Sequence, residues 1–238
     1  MSTLKLLLPF FGLLLATCST PESATPNGPF PPLPSIDTTF TYLALGDSYT
    51  IGESVAEGGR YPVQLADSLQ QLHRTTLDIV DIVARTGWTT DELDAGIDAR
   101  EDLEDTYDLV SLLIGVNNQF RGRAVEDYEP EFRALLERAI DFAGGEKDRV
   151  FVVSIPDYAY TPFGQGNPAI SNGIDIYNAA NRAITEEFGI RYFDITPISR
   201  EGLDNTALVA ADNLHPSAEQ YGRWVSLMHA EVAEMLGE

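Results

Sequence analysis

The 238-residue chain is 44% hydrophobic and 10% aromatic, enough apolar material for a buried core and too much for a disordered or collagen-like polymer. Its 37 acidic against 15 basic side chains leave a formal charge of -22, which opposes nucleic-acid backbones and anionic membrane surfaces as partners. One cysteine excludes an internal disulfide framework and a cysteine-rich zinc or iron-sulfur site, and three histidines argue against a multi-histidine metal centre.

Only two of the basic residues are lysines, Lys5 and Lys147. So acidic a surface repels itself at low ionic strength, and molar salt, with a Debye length of about 3 Å, relieves that repulsion. Adaptation to high salt and an ordinary acidic secreted protein both fit this composition.

Lys5 and the apolar run Leu6 to Ala16 (LLLPFFGLLLA) have the pattern of an export signal, the run being shorter than the roughly 20 residues of a spanning helix. The run closes on Leu15-Ala16-Thr17-Cys18, which resembles a bacterial lipobox, with Thr17 where Gly, Ala or Ser is usual. That resemblance makes residues 1–18 a lipoprotein-type signal and Cys18 the lipidated residue; an ordinary secretory signal with an incidental cysteine is the alternative. Residues 19–37 are dominated by Pro, Ser and Thr and predict a semi-extended tether, leaving 38–238 as one domain. Such a product is exported to the cell envelope, the periplasm or the medium and touches a membrane only through Cys18.

Strands are predicted at Phe40–Leu45, Leu77–Ala84, Leu109–Ile114, Val150–Ile155 and Ile190–Ile195, where apolar and β-branched residues cluster. Between them, Tyr61–Leu72, Thr90–Glu104, Val125–Phe142, Gly173–Phe188 and Ser217–Leu236 carry apolar residues at helical spacing. Alternating strands and helices imply an α/β protein with a parallel sheet covered on both faces. Ligands of such sheets sit beyond the carboxyl ends of the strands.

Three of those ends carry the most specialised residues: Gly46-Asp47-Ser48-Tyr49, Gly87-Trp88-Thr89-Thr90 and Gly115-Val116-Asn117-Asn118. A fourth block, Asp212-Asn213-Leu214-His215-Pro216, precedes the last helix. Each alone fits a turn or a helix cap. A serine hydroxyl needs a base, and His215 is the one histidine placed in a loop beside a carboxylate, Asp212; His73 ends the first helix and His229 lies in the last. Glycine amides and an asparagine side chain are the donor types that acyl transfer requires around a developing oxyanion.

In this order the four blocks resemble the SGNH family, also called GDSL hydrolases. The resemblance implies a three-layer α/β/α sandwich with a five-stranded parallel sheet of flavodoxin-like type. It also implies a catalytic set of Ser48, Asp212 and His215, and an oxyanion hole of the Ser48 amide, the Gly87 amide and the Asn117 side chain. Tyr49 stands where the family commonly has Leu, and Asn118 where an Asp often follows. The implied reaction is ester hydrolysis through an acyl-enzyme on Ser48, with no metal and no cofactor, on a small-molecule or glycan ester; short-chain, carbohydrate-borne acetyl and lysophospholipid esters are all candidates. An O-acyltransferase using the same residues on an envelope glycan, and a ligand-binding lipoprotein without chemistry, are the rival readings. Gln119, Phe120, Arg121 and Arg123, together with Asp157, Tyr158, Tyr160 and Phe163, are candidates to line the pocket. Arg121 is read either as a partner for an anionic substrate group or as one half of a surface ion pair.

Overall fold

Strand β1, Thr39–Gly46, is the spine of the domain: every side chain from Tyr42 to Leu45 is fully buried, after a half-buried Thr41. The computed structural model describes Met1 and residues 39–73 and 76–237, the last two stretches belonging to a folded unit spanning Ile36–Glu238. Apart from Met1, the predicted export signal at 1–18 with its Cys18 and the predicted tether at 19–37 fall outside the described residues. In chain order β1 is followed by α1 (Ser48–Ile51), α2 (Tyr61–Ser68), β2 (Thr76–Ala84), α3 (Thr90–Asp98), β3 (Leu109–Leu113) and α4 (Val116–Phe120). Then come α5 (Val125–Phe142), β4 (Val150–Val153), α6 (Pro168–Phe188), β5 (Arg191–Phe193), α7 (Thr196–Ser199) and α8 (Ala218–Met235).

All five strands are parallel, in the order β2-β1-β3-β4-β5, the flavodoxin-like arrangement. Helices α2 and α8 pack together on one side, and α3, α5 and α6 pack in series on the other, giving the three-layer sandwich. The buried strands read as nearly continuous apolar runs because both sheet faces are covered. One polar group crosses that core: Ser111 on β3 bonds the hydroxyls of Tyr42 at 2.8 Å and Tyr61 at 3.1 Å, so none of the three is left unpaired.

Most strand boundaries shift by one or two residues, β4 ending at Val153 and β5 spanning Arg191–Phe193, and three helices change more. The first predicted helix leaves α geometry at Ser68 and finishes as a π-turn over Leu69–His73. Helix α3 stops at Asp98 rather than Glu104. Beyond it, Glu101, Asp102, Glu104 and Asp105 would put acids at the negative end of a helix dipole; Arg100 turns back to Asp102 instead, and Tyr107 donates to Asp81 at 2.6 Å. Helix α6 begins earlier, at Pro168, with Asn167 capping Ala169 N-H at 3.0 Å. Among the described residues no helix is long and apolar enough to cross a membrane.

Candidate active site

The sheet order reverses between β1 and β3, and the first three sequence blocks meet at that crevice. Glycine ends β1 for a steric reason. A Cβ on Gly46 would lie 2.2 Å from Thr50 Oγ1 and 2.4 Å from the Leu113 carbonyl, so any side chain would force β1 and β3 apart. The next residue, Asp47, is fully buried and caps α1 by accepting the Tyr49 amide at 3.0 Å. Burial pushes its carboxyl up to about 7, against the pull of the backbone donors at Oδ1. Ser48 is thereby fixed as the first residue of α1, at the mouth of the crevice.

The second block is a tight turn, closed by Trp88 N-H to the Arg85 carbonyl at 3.2 Å, with Gly87 at φ +88. A positive φ at the third position is the signature of a turn that favours glycine. The turn is held from two sides. Thr86 donates to Glu53, and the Gly87 carbonyl accepts Arg121 Nη2 at 2.5 Å. Helix α3 then starts on a capping box between Thr89 and Glu92.

The third block locks onto the second. Gly115 takes φ +129, where a Cβ would meet the Tyr128 ring at 2.8 Å and Ile155 at 2.9 Å. Asn117 donates through Nδ2 to the Trp88 carbonyl at 2.9 Å. The fully buried Asn118 accepts the Thr90 amide at 3.1 Å and donates to Thr90 Oγ1 at 2.7 Å. An aspartate could make only the first of these two bonds, so asparagine suits this position.

The fourth block is a narrow loop between α7 and α8, closed by Ala210 N-H to the His215 carbonyl at 2.8 Å. Asn213 turns it at φ +65, a conformation asparagine tolerates. Asp212 Oδ2 receives His215 Nδ1 at 2.6 Å and Ser54 Oγ at 2.6 Å, while Oδ1 receives the amides of Leu214 at 2.9 Å and His215 at 3.0 Å. Partial burial would raise the Asp212 carboxyl, but the Ser54, His215 and Leu214 donors outweigh it and hold the group well below the usual carboxylate range. The Tyr49 ring packs against the imidazole, with centroids 5.5 Å apart and planes at 62°.

Ser48, Gly87, Asn117 and His215 line one cavity of about 130 Å3, and Asp212 sits behind His215. Tyr49, Thr86, Val116 and Leu214 complete its inner wall. At its mouth Phe120, Tyr158 and Phe163 form a triangle with ring centroids 6.1 to 6.4 Å apart. Phe120 is 60% and Phe163 51% exposed, so apolar ring faces open onto solvent here in a strongly acidic molecule.

Of the other candidate lining residues, Gln119 lies behind the rim and accepts the Tyr158 hydroxyl at 2.9 Å. Arg121 pairs with Glu92 at 3.1 Å besides holding Gly87, and Arg123 pairs with Asp91 at 2.6 Å; neither lines the cavity. Of the two roles read for Arg121, the ion pair is the one it has. Asp157 is a buried anchor, bonded to Arg200 at 2.9 Å and to Ser171, and Tyr160 lies under the Arg200 guanidinium. His73 and His229 bond each other at 2.9 Å, linking the end of the first helical segment to α8. Among the described residues no group of three or more His, Cys, Asp or Glu could hold a metal ion.

Sequence reasoning missed Ser54 and Glu53. Their roles depend on partners far along the chain, and nothing local marks them. Thr86 is next to a recognised residue, and Thr90 and Leu214 stand within the recognised blocks, but none of the three carries a local signal of the role it has.

A profile of the GDSL-like Lipase/Acylhydrolase family matches residues 44–223. Among solved structures, TesA is similar at 17% identity with a TM-score of 0.63, over 82% of this chain and 99% of that one. The lipase/acylhydrolase from Enterococcus faecalis is similar at 20% identity and a TM-score of 0.62, over 82% and 96% of the two chains. Axe2, an acetylxylan esterase from Geobacillus stearothermophilus, is similar at 20% identity and 0.60, over 84% and 94%. These likenesses are of fold. Among curated proteins none matches the sequence.

Proposed function

Because the chain belongs to the GDSL-like lipase/acylhydrolase family, we propose that it hydrolyses carboxylic esters through an acyl-enzyme on Ser48. The observation that carries this reading is the 2.6 Å contact by which Asp212, behind the cavity, holds the His215 ring that lines it together with Ser48. The His215 ring takes the proton of Ser48 Oγ as the oxygen adds to the ester carbonyl. The negative charge that develops on the carbonyl oxygen is met by the amides of Ser48 and Gly87 and the Asn117 side chain. His215 then gives its proton to the departing alkoxide, leaving the acyl group on Ser48. Water, deprotonated by the same ring, adds to that acyl group, and collapse returns the proton to Ser48 and releases the acid. Asp212 stays anionic throughout and stabilises the imidazolium.

The substrate class follows from what surrounds those atoms. A cavity of about 130 Å3 is well under the roughly 300 Å3 at which drug-sized ligand pockets begin, and suits an acyl group of a few carbons. No Lys or Arg lines it, which disfavours phosphate-bearing alcohols such as lysophospholipids. The aromatic triangle offers apolar faces to an uncharged alcohol, and an acetylated carbohydrate fits both halves of the site. In the same reading the signal at residues 1–18 exports the domain and Cys18 anchors it by lipid, with 19–37 as the tether.

A fluorophosphonate probe and p-nitrophenyl esters test the chemistry on the purified domain. Wild type is expected to label and to prefer the acetyl over the octanoyl ester. Ser48→Ala should lose the label, and kcat should fall by about 10^4-fold or more. A Ser48→Ala protein that keeps turnover within a few-fold of wild type would refute the assignment. Acyl transfer to an added glycan, in place of release to water, would make the enzyme an acyltransferase instead.

A further inference from the structure

We propose that Ser54 is a positioning residue for the base: its hydroxyl, donated to the carboxylate oxygen that also receives the His215 ring, fixes where that carboxylate points and how much of its charge the ring feels. The proposal rests on the serine-esterase reading above and adds a residue to it.

Three observations carry it. The first is the origin of the four donors to Asp212. The two at Oδ1 are amides of the carboxylate's own loop, and His215 belongs to that loop as well. Ser54 Oγ, at 2.6 Å, is the one donor from elsewhere in the fold, and it comes from the segment that follows the Ser48 helix α1. It therefore ties the base to the element that carries the nucleophile, which bonds within the loop cannot do.

The second is backbone conformation. Ser54 occupies φ +64 at the third position of a turn closed by Val55 N-H to the Gly52 carbonyl at 3.2 Å. That position ordinarily belongs to glycine, and a serine there is held against its own preference. The contact with Asp212 is what its side chain gains.

The third is continuity. The preceding residue, Glu53, receives the Thr86 hydroxyl, and Thr86 leads directly into Gly87. One short loop thus fastens both the base's carboxylate and the oxyanion turn.

The titratable groups facing His215 are Asp212 from its own loop, Tyr49 from α1 and Tyr158 across the cavity, with Glu53 beside Ser54 already engaged by Thr86. Among the described residues, Asp212 is the one of these that bonds the ring. Removing the Ser54 hydroxyl concentrates the Asp212 charge on His215, which favours the imidazolium and makes the base harder to deprotonate. It also frees the carboxylate to rotate. Ser54 does not line the cavity, so substrate affinity should not change.

Ser54→Ala and Ser54→Gly test this together, because both lack the hydroxyl while only glycine relieves the backbone. In both variants the acid limb of the kcat/KM profile should move to higher pH by a few tenths of a unit. In both, kcat should fall roughly three- to tenfold, the scale of one charge-assisted bond partly replaced by water, with KM within about twofold of wild type. Ser54→Gly should melt higher than Ser54→Ala. NMR titration of the His215 ring reads the same shift without substrate. Coincident pH profiles and unchanged kcat would overturn the proposal. So would a wild-type-like Ser54→Gly beside an impaired Ser54→Ala, which would assign the effect to backbone strain, or a loss confined to KM, which would make Ser54 a substrate contact. The esterase reading fails separately, by absence of labelling and turnover in wild type.

Discussion

The two halves of the cavity are built by opposite means. Ser48, Gly87 and Asn117 stand on buried strand ends, where Asp47, Thr89, Thr90 and Asn118 are all fully buried and glycines pass where no Cβ fits. The Asp212–His215 loop lies nearer the surface, with the Asp212 side chain 28% exposed, and it is shaped mainly by its own backbone bonds. Its ties to the rest of the fold among the described residues include Ser54 on Asp212, the Phe163 amide on the Asn213 carbonyl at 3.0 Å, the Tyr49 ring on His215, and the half-buried Leu214 against the core. A cradle made of the core shares its stability with the whole protein, whereas a loop that holds itself does not. Substitutions in the cradle should therefore lower stability and activity together. Substitutions in the loop should lower activity and leave melting nearly unchanged, and Ser54→Ala should do the same.

The largest break is expected at Gly115. A Cβ there meets the Tyr128 ring at 2.8 Å, and that ring cannot retreat, since it is fully buried with its hydroxyl bonded to the Ile114 carbonyl at 3.1 Å. Backbone strain at φ +129 adds to the clash. Gly115→Ala should lose about 3 kcal/mol in denaturant unfolding, and much of the activity with it. Gly122→Ala is the matched control, with φ +67 but open space around its Cβ, and should cost about 1 kcal/mol. Equal losses at the two sites would mean that strain alone, and not packing against the core, shapes the cradle.

This contrast also explains what could be read from the chain alone. The strands were legible because a sheet covered on both faces needs uninterrupted apolar runs. The glycines and the Asp212-to-His215 spacing were legible because each solves a local problem: a positive φ, a close approach, or a carboxylate turned back onto a ring three residues later. Asn167-Pro168 is an equally local signal, a cap followed by proline at the first helical position, and it starts the helix five residues before the predicted Gly173. The bonds that hold the blocks to one another were not legible. Asn118 to Thr90, Arg121 to Gly87 and Ser54 to Asp212 join residues brought together only by the sheet order. A serine with positive φ leaves no mark in a sequence.

Asn118 offers a smaller break of the cradle. Asn118→Ala would strip the acceptor from the buried Thr90 amide and the donor from Thr90 Oγ1, loosening the second block from the third. Leaving that amide unpaired should cost about 2 kcal/mol. Activity should fall through kcat, since the Gly87 turn and Asn117 would no longer be held in register. Asn118→Asp keeps the acceptor but loses the donor and buries a carboxylate against Thr90 Oγ1, whose proton goes to Glu131, so it should recover little of the stability. A variant as stable as wild type but equally impaired would instead place Asn118 with the loop, as a residue that serves activity alone.

Asp47 gives the smallest effect at one pH and the most informative one across a range. It is the most buried carboxyl of the cradle, and its Oδ2 has no hydrogen-bond partner among the described residues. Burial raises its folded value to about 7 from 3.8. Between those values the folded protein binds a proton that the unfolded chain has released, so this group's contribution to stability falls as pH rises through the window and is fully lost above it. Asp47→Asn keeps an acceptor for the Tyr49 amide and cannot ionise. Near pH 4 and below, where the carboxyl is largely protonated in both the folded and the unfolded chain, the variant should match wild type within about 0.5 kcal/mol, and by pH 6 it should already be the more stable of the two. From pH 6 to pH 8 wild type should lose roughly 1.4 kcal/mol relative to the variant, the equivalent of one unit of titration. The difference between the two proteins isolates this carboxyl from the other acids, whose contributions cancel. Parallel stability curves would show that Asp47 is ionised in the fold at neutral pH, and that the cradle tolerates an unpaired buried charge beside Ser48.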